Sequence, residues 1–461
     1  MSTDQHVVVF PWPEQGHINP ALVIALFLVE SGIHVTFVHT QRSYAAIQQS
    51  SPLLAIPLMK VEVVPDIDPD IWRHPAATEQ GFDLLLSKLM QSHPSPSCLL
   101  VDTFFPWSHS LAARYRLPRA QIWTASAYAF TVGLYVPELI ARGYLPVSHP
   151  GTGLDKVVDF IPGLTPFRMA NCPAMLAVSD LDDFRFKFFA SVLDHSKDAD
   201  RVLAHTVYDI EHEVVDALRE SSGICMDPIG PLVTDARHCL LPEDSMSISW
   251  LDKQEKASVL YIAFGSVFTM KYEDLVELAY GLAASGQLFF WVVRPDSYAV
   301  EKQPDEKLQE AFNLLKKQEK GYITSWAPQL AVLQHPSVGG FLSHCGWNST
   351  FESLHLGVPI LGFPLGGEQP INLKCIVNDW KAGLALQEAE DRGKPLGRDG
   401  IEKAVRGILA GEEGKRAREG ALKWSKLSHN AVVGSSRNNL QKFVNDIIQG
   451  RLKVCTLNQN E

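Results

Sequence analysis

The sequence predicts an α/β protein of two facing, doubly wound parallel-sheet domains with a cleft between them, and three observations lead there. The chain of 461 residues is too long for one ordinary core and calls for two to three domains. Its apolar runs His6–Phe10 (HVVVF), Val259–Phe264 (VLYIAF) and Leu288–Val293 show no alternation, as in strands covered on both faces by helices. One pattern, strand–loop–helix–strand, occurs twice, so each half reads as the start of its own parallel sheet.

In the first copy, His6–Phe10 leads into the loop PWPEQGH and a helix opening at Asn19-Pro20. Asn is a good N-cap and Pro is pre-set for the first helical position. Ser31-Gly32 stops the helix, and Val35–Val38 is the next strand. Cys98–Val101 is a further apolar run, with Asp102 at its carboxyl end. In the second copy, Val259–Phe264 runs into Gly265-Ser266, a helix from about Tyr272, the stop Ser285-Gly286, and Leu288–Val293. Farther on, Gly339–Ser343 is a short buried strand, His344–Trp347 a turn, and Asn348-Ser349 the cap of a helix reaching about Leu356. The stretch Asp227–Asp244 holds three prolines and little periodicity, which puts the division near Asp235. Residues 1–235 then form one domain, 236–250 a linker and 251–435 a second domain. One large sheet, or one such domain with an appendage, would not explain the repeated opening as well.

Composition narrows the function classes. Hydrophobic residues make up 46% and charged residues 20%, a globular balance. A formal net charge of -11 speaks against a nucleic-acid partner, although a local basic site is still open. Seven cysteines without a C-x-x-C pair point away from zinc and disulfide frameworks and toward a reducing compartment. The opening MSTDQHVVVFPWP lacks a basic leader, and the longest apolar helical run, Ala21–Val29, is too short for a bilayer. The expectation is a cytoplasmic monomer with no integral membrane segment. No G-x-G-x-x-G follows either opening strand, which weakens a dehydrogenase reading. The run Asp66-Ile67-Asp68-Pro69-Asp70 imitates a metal-binding D-x-D but reads as a solvated acidic loop between prolines. Asn348-Ser349-Thr350 matches a glycosylation acceptor by coincidence, and Glu412–Glu419 is a solvated helix face.

Two clusters could carry chemistry. A helix start at Asn348-Ser349 offers unpaired N–H groups and the positive end of the dipole to a phosphate. His344 can add a donor, Gly346 permits close backbone approach, and Glu352, on the first turn, could accept from vicinal hydroxyls. Alone, these residues amount to a capped helix. In the first half, His17 follows the first strand and has an ordinary pKa near 6.5, suited to proton abstraction. A loop histidine more often simply donates to a nearby carbonyl. Asp102 could hold that imidazole in one tautomer, or simply cap the next helix.

The 44 residues from Trp326 to Gln369 resemble the signature box of plant-type family 1 UDP-sugar glycosyltransferases, with W-A-P-Q, H-C-G-W-N-S and a final E-Q at matching offsets. Gln15-Gly16-His17 with Pro20 resembles the family's Q-G-H-x-x-P, and Val101 to Trp107 its V-D-x-F-x-x-W. The resemblance implies the GT-B fold, with residues 436–461 a helical segment packing back on the first domain. It implies that Trp326 stacks on uracil and the backbone of Ala327 pairs with its edge. Gln329 and Glu352 would hold the ribose. Ser266, His344, Gly346, Asn348 and Ser349 would hold the diphosphate. Trp347, Glu368, Gln369 and Thr124 would contact the sugar. His17 would be the general base and Asp102 its orienting partner, in an inverting displacement that needs no cofactor and no metal. The donor would be UDP-glucose or a related UDP-hexose, and the acceptor a small lipophilic phenolic, terpenoid or hormone. Phe105, Tyr128 and Gly366 would face that acceptor. The chain departs from the family at Leu365-Gly366-Gly367, where bulkier residues are usual; two glycines would open the loop near sugar and acceptor. The resemblance is thinnest over 60–93, 146–200 and 296–320, the segments expected to shape the acceptor pocket. A different class, a non-catalytic sensor of UDP-sugar or of a small metabolite, would need neither His17 nor Asp102.

Overall fold

The computed structural model describes residues 4–48, 56–65, 76–147, 153–233, 245–294, 306–391 and 393–454. The D-x-D run and the division near Asp235 lie outside the described residues.

The first unit is built on β1 (His6–Phe10), β2 (His34–Thr40), β3 (Met59–Val64), β4 (Cys98–Asp102) and β5 (Arg119–Trp123). A small hairpin, β6 (Val157–Val158) and β7 (Phe167–Arg168), stands apart, and β8 (Arg201–Ala204) and β9 (Met226–Pro228) complete the main sheet. Its helices are α1 (Gln15–Glu30), α2 (Gln41–Gln48), α3 (Ala76–Leu89), α4 (Ser108–Tyr115), α5 (Ala127–Leu134), α6 (Val136–Ala141), α7 (Phe184–Asp194) and α8 (Tyr208–Ser222). The strand order is β3-β2-β1-β4-β5-β8-β9, every neighbour parallel. Both faces are covered, so β1, β4 and β5 are buried at every residue.

The second unit opens with α9 (Ser245–Leu251) and β10 (Val259–Ala263), then α10 (Tyr272–Ser285), β11 (Leu288–Val292), α11 (Glu306–Lys317) and β12 (Gly321–Thr324). There follow α12 (Gln329–Gln334), β13 (Val338–Ser343), α13 (Trp347–His355), β14 (Ile360–Gly362), α14 (Gln369–Lys374), β15 (Gly383–Ala385), α15 (Arg398–Ala410) and α16 (Glu412–Val433). The order β12-β11-β10-β13-β14-β15 repeats the first sheet's pattern of winding outward both ways from its first strand. In such sheets the order reverses between two neighbouring strands, and the carboxyl ends flanking that point form a crevice. The reversal falls between β1 and β4 in one sheet and between β10 and β13 in the other.

Two readings of the sequence change. Helix α1 begins at Gln15, not Asn19, so Pro20 lies inside it and His17 sits in its first turn. Residues 245–250, read as linker, belong to α9, whose Leu251 is buried with Ile248 and Trp250 against β10 and β13. After Gly434, α17 (Ser435–Ile448) lays Leu440, Phe443, Val444 and Ile447 on Ile18, Leu22 and Ile24 of the first unit. Among the described residues no helix is long and apolar enough to cross a membrane.

Candidate active site

Asp102 closes β4 and is 1% exposed. Its Oδ1 accepts the Phe104 N–H at 3.0 Å, and its Oδ2 accepts from His17 Nδ1 at 2.8 Å. Thr124 Oγ1, just past β5, lies 3.1 Å from the same imidazole nitrogen. Nδ1 therefore carries the proton in the neutral ring, and Nε2 keeps the lone pair that a base needs. Burial is the largest influence on His17 and pulls its pKa down. The charge and hydrogen bond of Asp102, with Glu14 and Glu368, outweigh it, and the net shift is upward. Glu368 belongs to the second unit, so the field at His17 is set from both sides of the cleft.

Across the cleft, β13 ends at Ser343, Cys345 takes a left-handed φ of 63°, and Gly346 leads into α13. The helix starts at Trp347, so Asn348 and Ser349 occupy its first turn instead of capping it, and Glu352 lies in the second turn. N–H groups of a first turn have no partner farther back in the helix and face whatever anion approaches. His344 is held between two glycines. A Cβ at Gly265 would lie 2.5 Å from its Nε2, and one at Gly346 would be closer still. Burial, with a smaller effect from Arg294, lowers its pKa to about 4, so the ring is a neutral donor. Its Nδ1 is buried without a hydrogen-bond partner.

Gln329, the first residue of α12, donates from Nε2 to Ser349 Oγ at 2.9 Å and to Glu352 Oε2 at 2.6 Å. Burial pushes the Glu352 carboxyl up to about 7, against the Gln329 bond that stabilises its anion. The pair assigned to the ribose thus forms one unit. Trp326 is half-buried before α12, and Ala327 is buried. Ser266 is exposed in the turn after β10, where its carbonyl accepts from Arg294 at 3.0 Å.

Several expected contacts fall elsewhere. The Trp347 indole is 3% exposed, donates to the His205 carbonyl at 2.6 Å and packs on Phe351 and Trp380. Its ring is core, and its backbone N–H donates to Glu368 Oε1 at 3.2 Å. Gln369 Oε1 accepts the N–H groups of Leu365 and Gly366, so that oxygen braces its own loop. Gly366 and Gly367 do not open a space for substrate. The Phe268 ring fills it, and a Cβ on Gly366 would lie within 3 Å of three ring carbons. Phe105 is 1% exposed and stacks on Phe10 at 4.5 Å; Tyr128 is buried in the core, with the Lys374 ammonium over its ring. Neither opens onto the cleft.

The aromatic beside His17 is Phe104, at 5.0 Å between centroids. Trp12, Phe188 and Phe189 meet Phe104 in turn, the last two from α7. Phe188 and Phe189 lie where the resemblance is thinnest, and no local pattern marks them. Arg294 could have been noticed, because it follows the β11 strand end, where ligands of such sheets gather. Among the described residues no cluster of His, Cys, Asp and Glu suits a metal ion.

The arrangement offers a base on one side and an anion site, hydroxyl acceptors and a buried carboxylate on the other. The model of a family described as UDP-glucoronosyl and UDP-glucosyl transferase matches residues 232–434. UDP-glycosyltransferase 85A3 of Arabidopsis thaliana is 32% identical, covering 97% of this chain and 97% of that protein. (R)-mandelonitrile beta-glucosyltransferase of Prunus dulcis is 33% identical, covering 96% and 97%. The solved structure of Phytolacca americana UGT2, complexed with UDP-2fluoro-glucose and pterostilbene, superposes with a TM-score of 0.82 at 26% identity, covering 97% of this chain and 99% of that one. Two sheets facing across a cleft are the GT-B architecture, and near full-length similarity of this kind makes the chain a member of the plant-type family 1 UDP-glycosyltransferases.

Proposed function

We propose that this UDP-glycosyltransferase moves a hexose, glucose in the first instance, from its UDP-sugar to a hydroxyl of a small lipophilic acceptor, with inversion. The observation that carries the reading is the 2.8 Å contact between His17 Nδ1 and Asp102 Oδ2 at the reversal point of the first sheet. The acceptor O–H gives its proton to His17 Nε2, and its oxygen forms a bond to the anomeric carbon. The bond from that carbon to the β-phosphate oxygen breaks, and its electron pair leaves with UDP. Asp102 stabilises the imidazolium. The first turn of α13, neutral His344 and the nearby Arg294 charge face the growing charge on the diphosphate. Gln329 and Glu352 receive the ribose hydroxyls. Phe104 and its aromatic neighbours favour an apolar acceptor. The relative named for mandelonitrile glucosylation supports a small acceptor and glucose as the sugar.

No metal ligand enters this scheme, so turnover should survive excess EDTA. Complete loss restored by magnesium or manganese would overturn that part. The reading as a whole is tested by mass spectrometry of reactions with several UDP-sugars and a panel of phenolic, terpenoid and hormone-like alcohols. A product heavier by one hexose is expected with UDP-glucose. UDP binding without transfer to any acceptor would favour a sensor instead.

A further inference from the structure

The reaction sets a base on one domain against a donor on the other, and the Asn348 side chain reaches from the donor-side helix to the residue before that base. Pro20 is the sixth residue of α1. A proline there has no N–H for the carbonyl four residues back, and its ring crowds that carbonyl outward. The carbonyl belongs to Gly16, and Asn348 Nδ2, from the first turn of α13, donates to it at 2.7 Å. Gly16 also leaves the approach open, since a Cβ there would lie 3.3 Å from Asn348 Nδ2.

The other end of the amide is equally committed. Asn348 Oδ1 lies 3.1 Å from His205 Nδ1. A backbone carbonyl only accepts, which fixes the amide nitrogen toward Gly16; the amide oxygen must then accept from a protonated His205 Nδ1. Burial keeps His205 neutral, with a pKa lowered to about 3, and its ring stacks on Phe351 at 4.6 Å. Both ends of Asn348 are therefore bonded to the first domain, one of them to the residue immediately before His17.

We propose that Asn348 is a positioning residue: by bonding the Gly16 carbonyl, to which Pro20 offers no N–H, it sets His17 against the donor-binding helix. Its main contribution then falls on the rate of transfer, with donor affinity secondary. The proposal rests on the glycosyltransferase reading above and deepens it.

Pro20→Ala tests it without touching either substrate. The new N–H draws the Gly16 carbonyl back onto the helix axis and competes with Asn348. We expect kcat to fall about tenfold, as small misplacements of a reacting group do. KM for UDP-glucose should stay within about twofold, and Tm should not fall, because a helical bond has been added. Asn348→Asp, isosteric but unable to donate, should lower kcat by itself and abolish the further effect of Pro20→Ala. Wild-type kcat in Pro20→Ala, or the same fall from Pro20→Ala in the Asn348→Asp background, overturns the strut. A second readout does not need turnover. Glu368 of the second domain helps raise the His17 pKa, so loosening the strut should move the His17 ring titration, followed by NMR, to lower pH. If the wild-type chain transfers no hexose, the function fails and this titration alone judges the strut, an unchanged midpoint overturning it.

Discussion

At the scale of single residues, two groups have protonation states that the site itself sets. His17 must be neutral to take a proton, and its pKa lies above the ordinary 6.5. Turnover should therefore rise with pH through a midpoint above 6.5. His17→Ala should cost about 10²–10⁴ in kcat while UDP affinity stays nearly intact, since general-base catalysis is worth that much. Collapse of UDP binding would assign His17 to the donor site. Asp102→Asn removes a charge and a hydrogen bond that both raise the His17 pKa, so the limb should move to lower pH as kcat falls. Glu352 behaves oppositely. Burial lifts its pKa to about 7, and it accepts hydroxyls best as the carboxylate. UDP affinity, measured calorimetrically between pH 6 and 8, should weaken as pH falls through 7. Glu352→Gln should flatten that dependence and weaken binding by about 1.5–3 kcal/mol, the usual worth of hydrogen bonds to a charged group. A steep dependence surviving in Glu352→Gln would place the titrating group elsewhere.

At the scale of elements, the strands were legible because runs such as Val259–Ala263 are apolar at every position, a pattern only a doubly covered sheet explains. Asp102 closes β4 and His17 lies in the first turn of the helix that follows β1, and because β1 and β4 are parallel neighbours, chain direction brings both to one edge of the sheet. What could not be read depends on contacts distant in sequence. Asn19-Pro20 has the local form of a helix start, yet α1 continues through it, because the bond missing at Pro20 is supplied by Asn348. The glycines at 366 and 367 suggest an open loop, and only the fold shows that the turn after β10 brings Phe268 onto them. That packing is testable. Gly366→Ala should destabilise by about 1–3 kcal/mol through overpacking. Phe268→Ala in the same chain should recover most of the loss, read by thermal or denaturant unfolding. Equal effects of Gly366→Ala with and without Phe268 would mean that the ring does not occupy this space.

At the scale of the whole molecule, the two sheets are joined twice, by the chain between β9 and α9 and by the return of α16 into α17. The first runs through the stretch in which the sequence places three prolines. The second follows from Gly434, where φ and ψ of -114° and -114° interrupt the helix and redirect the chain. The return is fastened by charge as well as by apolar surface. Arg201, at the start of β8, is 7% exposed and bonds Asp200, Asp227 and Asp446, the last on α17. Asp446 also pairs with Lys442 and Arg451, whereas Asp200 and Asp227 lean chiefly on Arg201, and without its cation those two would be buried beside like charge. Arg201→Met keeps much of the stem and removes the charge, so about 3–5 kcal/mol of stability should be lost. Phe443→Ala, in the cluster shared by α17 and α1, should cost a comparable 3–5 kcal/mol through the cavity it leaves. Since α17 packs on the domain that holds His17, both losses should appear first in that domain. Hydrogen exchange at β1, β8 and β9 should accelerate before exchange at β10 and β13. Acceleration confined to the second sheet would show that α17 does not stabilise the sheet against which it packs.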